Sequence, residues 1–467
     1  MKTYFNSQSL LNHYSYNALS TMSFLTNCTS VDNRLFYSTP SCPSVSDLGS
    51  RDRNKENSNS QFIIIHEGQQ IALSYDFIEW LRGFTDAEGC FLIAKTGNTF
   101  AFRFLIKLHA DDVNALNYIR NSLGGIGDVI SVGSVAYYKV TSQKGIKFIL
   151  EIFTKYPLNS NKHLDFIAFR EAYELYVSSV SKTEELAKEI VILKDSMNKK
   201  RTNFDSEKPH KINITDNWLL GFVEGDGSFC VAKTGLILTF SLGQKGNLAL
   251  MEAIQSYLFN LANKNSSTTG RTEVQGESIN FIYLTKSSRK SSSEIIYVLI
   301  VKNKDYIENI LIPYFDSLIF HSKKELDYLD WKSIGKLKNL GLHYLPEGVK
   351  LIELILSQMN ENRLSSRGIK PVERNFIQSE VIRLLQGPSN YEIREGRIFI
   401  KSLNKYHSGR TKTKVELKDQ EGLVFKTFDS MNKCAEFLGV STHTVSKRIK
   451  SNSPVIFNNK EFIIHVC

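Results

Sequence analysis

At 467 residues, with 42% hydrophobic and 23% charged residues, the chain has the length of two to four domains and an ordinary globular composition. Its longest apolar stretches, such as Phe62–Ile65 and Ile295–Val301, fall far short of the roughly 18–20 residues that span a bilayer, so no transmembrane helix is expected. Lys and Arg outnumber Asp and Glu by 58 to 48, and the net charge of +10 favours polyanionic partners, although charge alone leaves nucleic acid and a membrane surface both open.

The first 31 residues hold one base, Lys2, no acid, and many Ser, Asn and Tyr, and the polar, aromatic-free run over 41–61 reads as a linker. Residues 1–61 are therefore expected to be a disordered leader and linker, with folded chain starting near Phe62. Six cysteines lie far apart, without a CxxC pair or a His cluster at zinc-ligand spacing, which argues against both a disulfide framework and a structural zinc.

Beyond Phe62 the decisive feature is an internal repeat. Trp80–Gly97 aligns with Trp218–Gly235 at an offset of 138, with ten of eighteen positions identical and both acidic positions kept acidic. The echo continues as the offset grows: Thr141 finds Thr285, and Leu164-Asp165-Phe166 finds Leu326-Asp327-Tyr328. Two copies of one half-domain follow, over 62–200 and 201–364, each with a helix ending in acidic residues and Gly, a strand pair, a helix, a second strand pair and further helices. Strand 99–109 alternates, with Phe100, Phe102, Phe104, Ile106 and Leu108 on one face and Arg103, Leu105 and Lys107 among those on the other. In each motif a glycine, Gly83 or Gly221, removes a side chain where two helices would approach backbone to backbone, flanked by Leu81, Phe84, Leu219 and Phe222.

The repeated Leu81–Gly89 and Leu219–Gly227 resemble the LAGLIDADG motif of homing endonucleases, which are usually encoded in group I introns, and the resemblance extends over about residues 72–364. It implies an α+β fold of two pseudo-symmetric half-domains whose antiparallel sheets form a saddle over the DNA major groove. The catalytic residues implied are Glu88 and Asp226, brought together at adjacent helix ends. Two neighbouring carboxylates repel unless a cation neutralises them, and hard oxygen ligands select Mg²⁺ or a similar ion such as Mn²⁺. The metal ligands carried over are Glu88 and Asp226 with the carbonyls of Ala87 and Gly225. Asp86 and Glu224 read as groups that cap or orient the helix ends. Arg82 and Leu220 stand where the family usually has a small residue, so looser helix packing is expected there, and Leu105 stands where some relatives carry a polar residue beside the cleavage site.

On the sheets, Arg103, Lys107 and Lys139 in the first half and Ser241 and Lys245 in the second are the expected DNA contacts, with Lys95 and Lys233 binding phosphate near the cleavage centre. Residues 365–397 read as a linker with a short helix, Ile377–Leu385, and 398–467 carry 12 basic against 6 acidic residues. Within that last segment, 430–450 suits a helix-turn-helix, with Ala435 at the crossing, Gly439 in the turn and Val445 as anchor. This module resembles repeats appended to intron-encoded endonucleases, and its second helix offers His443, Ser446, Lys447 and Lys450 to DNA. The function implied is a monomeric, metal-dependent endonuclease that cuts both strands of a long asymmetric site and promotes mobility of its intron, in mitochondria or a plastid, without a membrane partner. Two alternatives remain at this stage: a maturase that binds group I intron RNA, and a DNA-binding regulator that does not cleave.

Overall fold

The computed structural model describes residues 61–201, 204, 210–266, 281–288, 295–367, 372–407, 413–458 and 460–466. The expected disordered leader lies outside the described residues, apart from Gln61, which opens the first strand. The chain divides into two compact units, 1–388 and 389–467, of which the first holds both motif copies.

In the first unit a hairpin, β1 (Gln61–His66) and β2 (Gln69–Ser74), leads into motif helix α1 (Tyr75–Glu88). The first half continues through β3 (Gly89–Thr96), β4 (Thr99–His109), α2 (Val113–Ser122), β5 (Asp128–Val132), β6 (Val135–Val140), α3 (Gln143–Lys155), α4 (Lys162–Ser178) and α5 (Glu184–Asp195). The second half repeats the plan with α6 (Asp216–Asp226), β7 (Gly227–Ala232), β8 (Ile237–Lys245), α7 (Leu248–Ser266), β9 (Ile282–Ser288) and β10 (Ile295–Val301). It closes with short helices α8 (Lys304–Tyr306) and α9 (Ile312–Asp316), then α10 (Lys324–Asn339), α11 (Pro346–Leu356) and α12 (Arg374–Gln386). Each half builds a four-stranded antiparallel sheet of the same order, β3-β4-β6-β5 and β7-β8-β10-β9. As the alternation predicts, Phe100, Phe102, Phe104 and Ile106 turn into the core.

The two halves meet along α1 and α6. Their starts are capped alike: the Ser74 hydroxyl accepts from Phe77 N and the Thr215 hydroxyl from Trp218 N, both at 3.2 Å. The helices then touch through glycine. A Cβ on Gly83 would lie 1.9 Å from the Trp218 carbonyl oxygen, and one on Gly221 would lie 2.1 Å from that of Trp80, so no larger residue fits either position. The looser packing expected at Arg82 and Leu220 does not occur. Arg82 is buried, pairing with Glu79 at 2.6 Å and donating through Nε to the Pro157 carbonyl at 2.9 Å, and Leu220 is buried in the core.

The chain after the second half also differs from expectation. Residues 365–397 contain α12, whose Ile377, Val381 and Leu384 join the main core, and whose Arg374 makes a buried ion pair with Asp330 of α10 at 2.7 Å. The linker reading fails because the apolar stripe and the buried arginine both find partners on the second half.

The second unit has its own small core of Val415, Leu417, Cys434, Val445, Phe462 and neighbours. It contains a three-stranded sheet, β11 (Tyr391–Arg394), β12 (Arg397–Ile400) and β13 (Lys405–Tyr406), and a four-stranded sheet formed by β14 (Val415–Lys418), β15 (Val424–Phe428), β16 (Val455–Phe457) and β17 (Lys460–Val466). Between β15 and β16 lie α13 (Met431–Leu438) and α14 (Thr442–Ser451), joined by a turn in which Gly439 takes φ 65°, a left-handed value that suits glycine.

Candidate active site at the paired helix ends

Crossing at the glycines sends the C-terminal ends of α1 and α6 to the same place. A Cβ on Gly225 would lie 2.3 Å from the Ala87 Cβ and 3.2 Å from the Glu88 Cγ, so the small residues before the two acids let the acids meet. Burial, and next the charge of Asp226, push the Glu88 carboxyl up to about 7 against the opposing pull of Lys162 and Lys324. Burial pushes Asp226 up to about 6, while Lys162, a hydrogen bond from Gln244 and Lys324 pull it down.

The acids two positions earlier are committed to holding this arrangement. Asp86 accepts from Asn159 N at 2.9 Å, Ser160 N at 2.8 Å and the Trp218 indole of the other half at 2.9 Å. Glu224 mirrors it, accepting from His321 N at 3.0 Å, Ser322 N at 2.5 Å and the Trp80 indole at 2.8 Å. Each acid thus ties a motif helix to the loop entering α4 or α10 and to the tryptophan of the opposite helix. These donors occupy most of the roughly four lone-pair sites of each carboxylate, leaving little room for a metal.

Those same loops deliver Lys162 and Lys324. Lys162 Nζ donates to the carbonyls of Ala87 at 2.5 Å and Asp86 at 3.0 Å, and both lysines act on both acids electrostatically. Neither lysine was among the expected site residues. The signal was present, since the Leu164/Leu326 echo has an offset of 162, and that offset maps Lys162 onto Lys324. It also maps Asn198 and Arg201 onto Asn360 and Arg363, which close each half in the same way. The Asn198 and Asn360 backbones donate to Asp165 and Asp327 at 3.0 and 2.6 Å, while Arg201 and Arg363 pair with the same two acids.

A cleft of about 180 Å³ opens beside Asp226, lined by Ala87, Ser160, Lys162, Gln244 and Lys245 among others. Among the described residues no group of three or more His, Cys, Asp or Glu side chains surrounds a common point. Two carboxylates that repel each other, only partly offset by Lys162 and Lys324, would still suit a hard cation, which binds oxygen ligands. Glu88 and Asp226 fit that role. The Ala87 carbonyl is shared with Lys162.

The expected DNA contacts fall into three groups. Arg103, Lys107 and Lys139 are half-buried and Lys245 exposed, and all four lie on the non-core face or end of the sheets. Ser241 is a correction: at 3% exposure, between Ser228 and Ile300 on the flanking strands, it offers no surface. Lys95 and Lys233 are exposed, but Lys95 stands six residues up β3 from Gly89, about 20 Å along the strand, and Lys233 follows the far end of β7, so neither is near the acids. The register moves the Leu105 position as well. Gly89 faces Ile106 as Gly227 faces Leu242, so the polar side chain that meets Asp226, Gln244, corresponds to Leu108. In the second unit His443, Lys447 and Lys450 are exposed on α14, lining a shallow depression with Ser446.

The family model described as LAGLIDADG endonuclease matches residues 81–173 and 219–335, one block per half, each beginning inside a motif. The chain belongs to the LAGLIDADG endonuclease family. Both blocks lie in one chain, so this is the two-motif, single-chain form, and dependence on divalent metal is a trait of the family. The chain is 25% identical over 401 residues to an uncharacterized mitochondrial protein, RF1, of Saccharomyces cerevisiae, covering 84% of this chain and 82% of that one. It is 30% identical over 200 residues to a probable intron-encoded endonuclease, Cox1-I1b, of Schizosaccharomyces pombe, covering 40% of this chain and about half, 50%, of that relative's length. Among solved structures, the meganuclease I-SmaMI bound to uncleavable DNA superposes with a TM-score of 0.51 at 28% identity, covering 62% of this chain and 98% of that one.

Proposed function

We propose that this LAGLIDADG protein is a site-specific homing endonuclease that hydrolyses both strands of a long, asymmetric double-stranded DNA target. The observation that carries the reading is the meeting of Glu88 and Asp226 at glycine-packed helix ends, with a lysine from each half beside them. A protein that only bound nucleic acid would have no use for two carboxylates held together against their own repulsion.

In this reading Glu88 and Asp226 each serve one strand. Both acids would hold Mg²⁺ or a similar divalent cation, which would supply polarisation of the scissile phosphate and a lowered pKa for the attacking water. Lys162 and Lys324 balance charge at the acids and, with DNA bound, face the phosphates. Asp86 and Glu224 keep the helix ends in register with the lysine-bearing loops. Arg103, Lys107, Lys139 and Lys245 contact DNA from the sheets, Lys95 and Lys233 reach outer phosphates, and His443, Ser446, Lys447 and Lys450 add contacts from the second unit. Both motifs lie in one chain, so a monomer suffices. The mitochondrial name of the budding-yeast relative supports a mitochondrial location, and the intron-encoded fission-yeast relative supports a role in mobility of a host intron.

The test is incubation of the purified protein with a plasmid library of randomised inserts, with Mg²⁺ or with EDTA. Linear product confined to a family of related inserts, and to Mg²⁺, is expected. Binding without linearisation under any divalent cation would contradict the reading.

A further inference from the structure

The hairpin that opens the second unit has no part in the contacts assigned to α14, yet it carries an arrangement of its own. Its tip, Arg394-Glu395-Gly396-Arg397, turns through two residues of positive φ, 51° at Glu395 and 71° at Gly396, as the tightest antiparallel hairpins do. That turn sets Arg394 of β11 directly opposite Arg397 of β12, and the pleat puts Glu392, Phe399 and Tyr406 of β13 on the same face. Each guanidinium lies over an aromatic ring of the next strand: Arg394 Cζ is 3.7 Å from the centre of the Phe399 ring, and Arg397 Cζ is 4.3 Å from that of Tyr406. The Tyr406 hydroxyl donates to Glu395 Oε2 at 3.4 Å, which helps to hold that ring beneath Arg397. Arg394 also donates to Glu392 at 2.9 Å, whereas among the described residues no hydrogen-bond or ion-pair acceptor meets the Arg397 guanidinium.

We propose that this hairpin is a phosphate clamp on double-stranded DNA, separate from α14, in which Arg394 and Arg397 each take one backbone phosphate. This rests on the reading that the protein binds duplex DNA. Like charges directly opposite each other destabilise a strand pair, and a bound anion removes that cost. A guanidinium resting on a ring is already held in place, so little freedom is lost when its N–H fork meets two phosphate oxygens. Residues 391–407 carry four basic and two acidic side chains, a net +2, so the hairpin is not neutralised from within. Phe399 is buried and Arg397 covers Tyr406, so these rings are not open to stack on unpaired bases, which favours the backbone of a duplex over a single strand.

The experiment is binding of the full chain to a fluorescently labelled duplex of mixed sequence across a salt series, in EDTA so that no strand is cut. Arg394→Gln with Arg397→Gln should lower the log–log slope by about 0.9 for each phosphate no longer neutralised, or about 1.8 for the pair. That loss should add to the one caused by Lys447→Gln with Lys450→Gln on α14. Arg394→Lys with Arg397→Lys keeps the charge and gives up the fork, so the slope should stay near that of the wild type while affinity falls. Glu392→Gln, which releases Arg394 from its acid, should tighten binding, whereas Glu421→Gln, at an exposed acid of the same unit outside the hairpin, should change it less. Both arginines are exposed, so their variants should melt as the wild type does. An unchanged slope and affinity in Arg394→Gln with Arg397→Gln would overturn the clamp while leaving duplex binding by the protein intact. Tighter binding of a single strand than of the duplex, lost with the two arginines, would overturn it as well. If the wild type binds no duplex at all, the DNA-binding reading falls and the clamp falls with it.

Discussion

The two halves of the core match at the helix crossing and its anchors and differ at one strand position beside the acids. Gly83 answers Gly221, Trp80 reaches Glu224 as Trp218 reaches Asp86, and Asn198 with Arg201 clasps Asp165 as Asn360 with Arg363 clasps Asp327. Gln244 and Leu108, by contrast, share a position and no chemistry. Contacts that set the approach of two helices tolerate almost no variation, since a displaced backbone moves everything attached to it. Residues beside a cleft carry no such constraint.

The most damaging way to break the symmetry is at the glycines. Gly83→Leu or Gly221→Leu places carbon atoms on a backbone carbonyl, so each should cost more than the usual 1–3 kcal/mol or so of overpacking and leave little folded protein. Gly243→Ala, with nothing within 4 Å of its added Cβ, should leave urea unfolding unchanged and serves as the control.

A smaller, equal loss should follow from either tryptophan. Trp80→Phe and Trp218→Phe each strip one donor from a buried carboxylate, which costs about 1–3 kcal/mol. Similar losses from the two variants in thermal unfolding would support the mirrored roles of Asp86 and Glu224; a loss in only one would show that the anchors are not equivalent.

A pH titration reads the buried acids, since burial raises the anchoring Glu224 to about 7 as it does Glu88. Glu88 ionises near 4.5 in an unfolded chain and at about 7 in the folded, cation-free protein. Over that interval the unfolded state has released a proton that the folded state retains, so this group's contribution to stability falls as pH rises towards 7 and then levels off. Asp226, raised to about 6, and Glu224, raised to about 7, add to the same fall, so Glu88→Gln should make it shallower without removing it, and a divalent cation should reduce the fall in the wild type. Melting temperatures across the range, with and without Mg²⁺, provide the measurement.

The smallest effect on cleavage is expected from removing the second unit, whose division from the core falls after Pro388. Residues 389–467 carry 14 basic and 8 acidic side chains, a net +6. Chain ended at Pro388 should still cut, while binding less tightly and with a shallower dependence on salt, by about 0.9 in log–log slope for each phosphate that is no longer neutralised. Equal slopes for the full and shortened proteins would show that His443, Lys447 and Lys450 do not meet DNA.

Much of this was legible in the repeat itself. Two in-register copies with glycine at the crossing and acid at the end suffice to pair Glu88 with Asp226, because helix geometry fixes where such residues point. Lys162 and Lys324 could have been found from the later echo, whose offset the intervening insertions had changed. Gln244 could not, since its meeting with Asp226 depends on the register of β7 against β8. Alternation put Ser241 on the non-core face and was right about direction, but a small side chain there is covered by its flanking strands. Lys95 and Lys233 were misplaced for a simpler reason: residues close in sequence along an extended strand are far apart in space. The linker reading of α12 failed because its stripe is short and its Arg374 looks solvated until Asp330 appears beneath it.

The central claim is that Glu88 and Asp226 form one two-strand cutting centre on a frame they do not themselves hold together. Its most direct test is the double-strand cleavage of a selected plasmid by Glu88→Gln and by Asp226→Asn, with DNA affinity measured in parallel in Ca²⁺. The account predicts that linear product disappears in both variants while affinity stays near that of the wild type. Linearisation by both at the wild-type rate would contradict it.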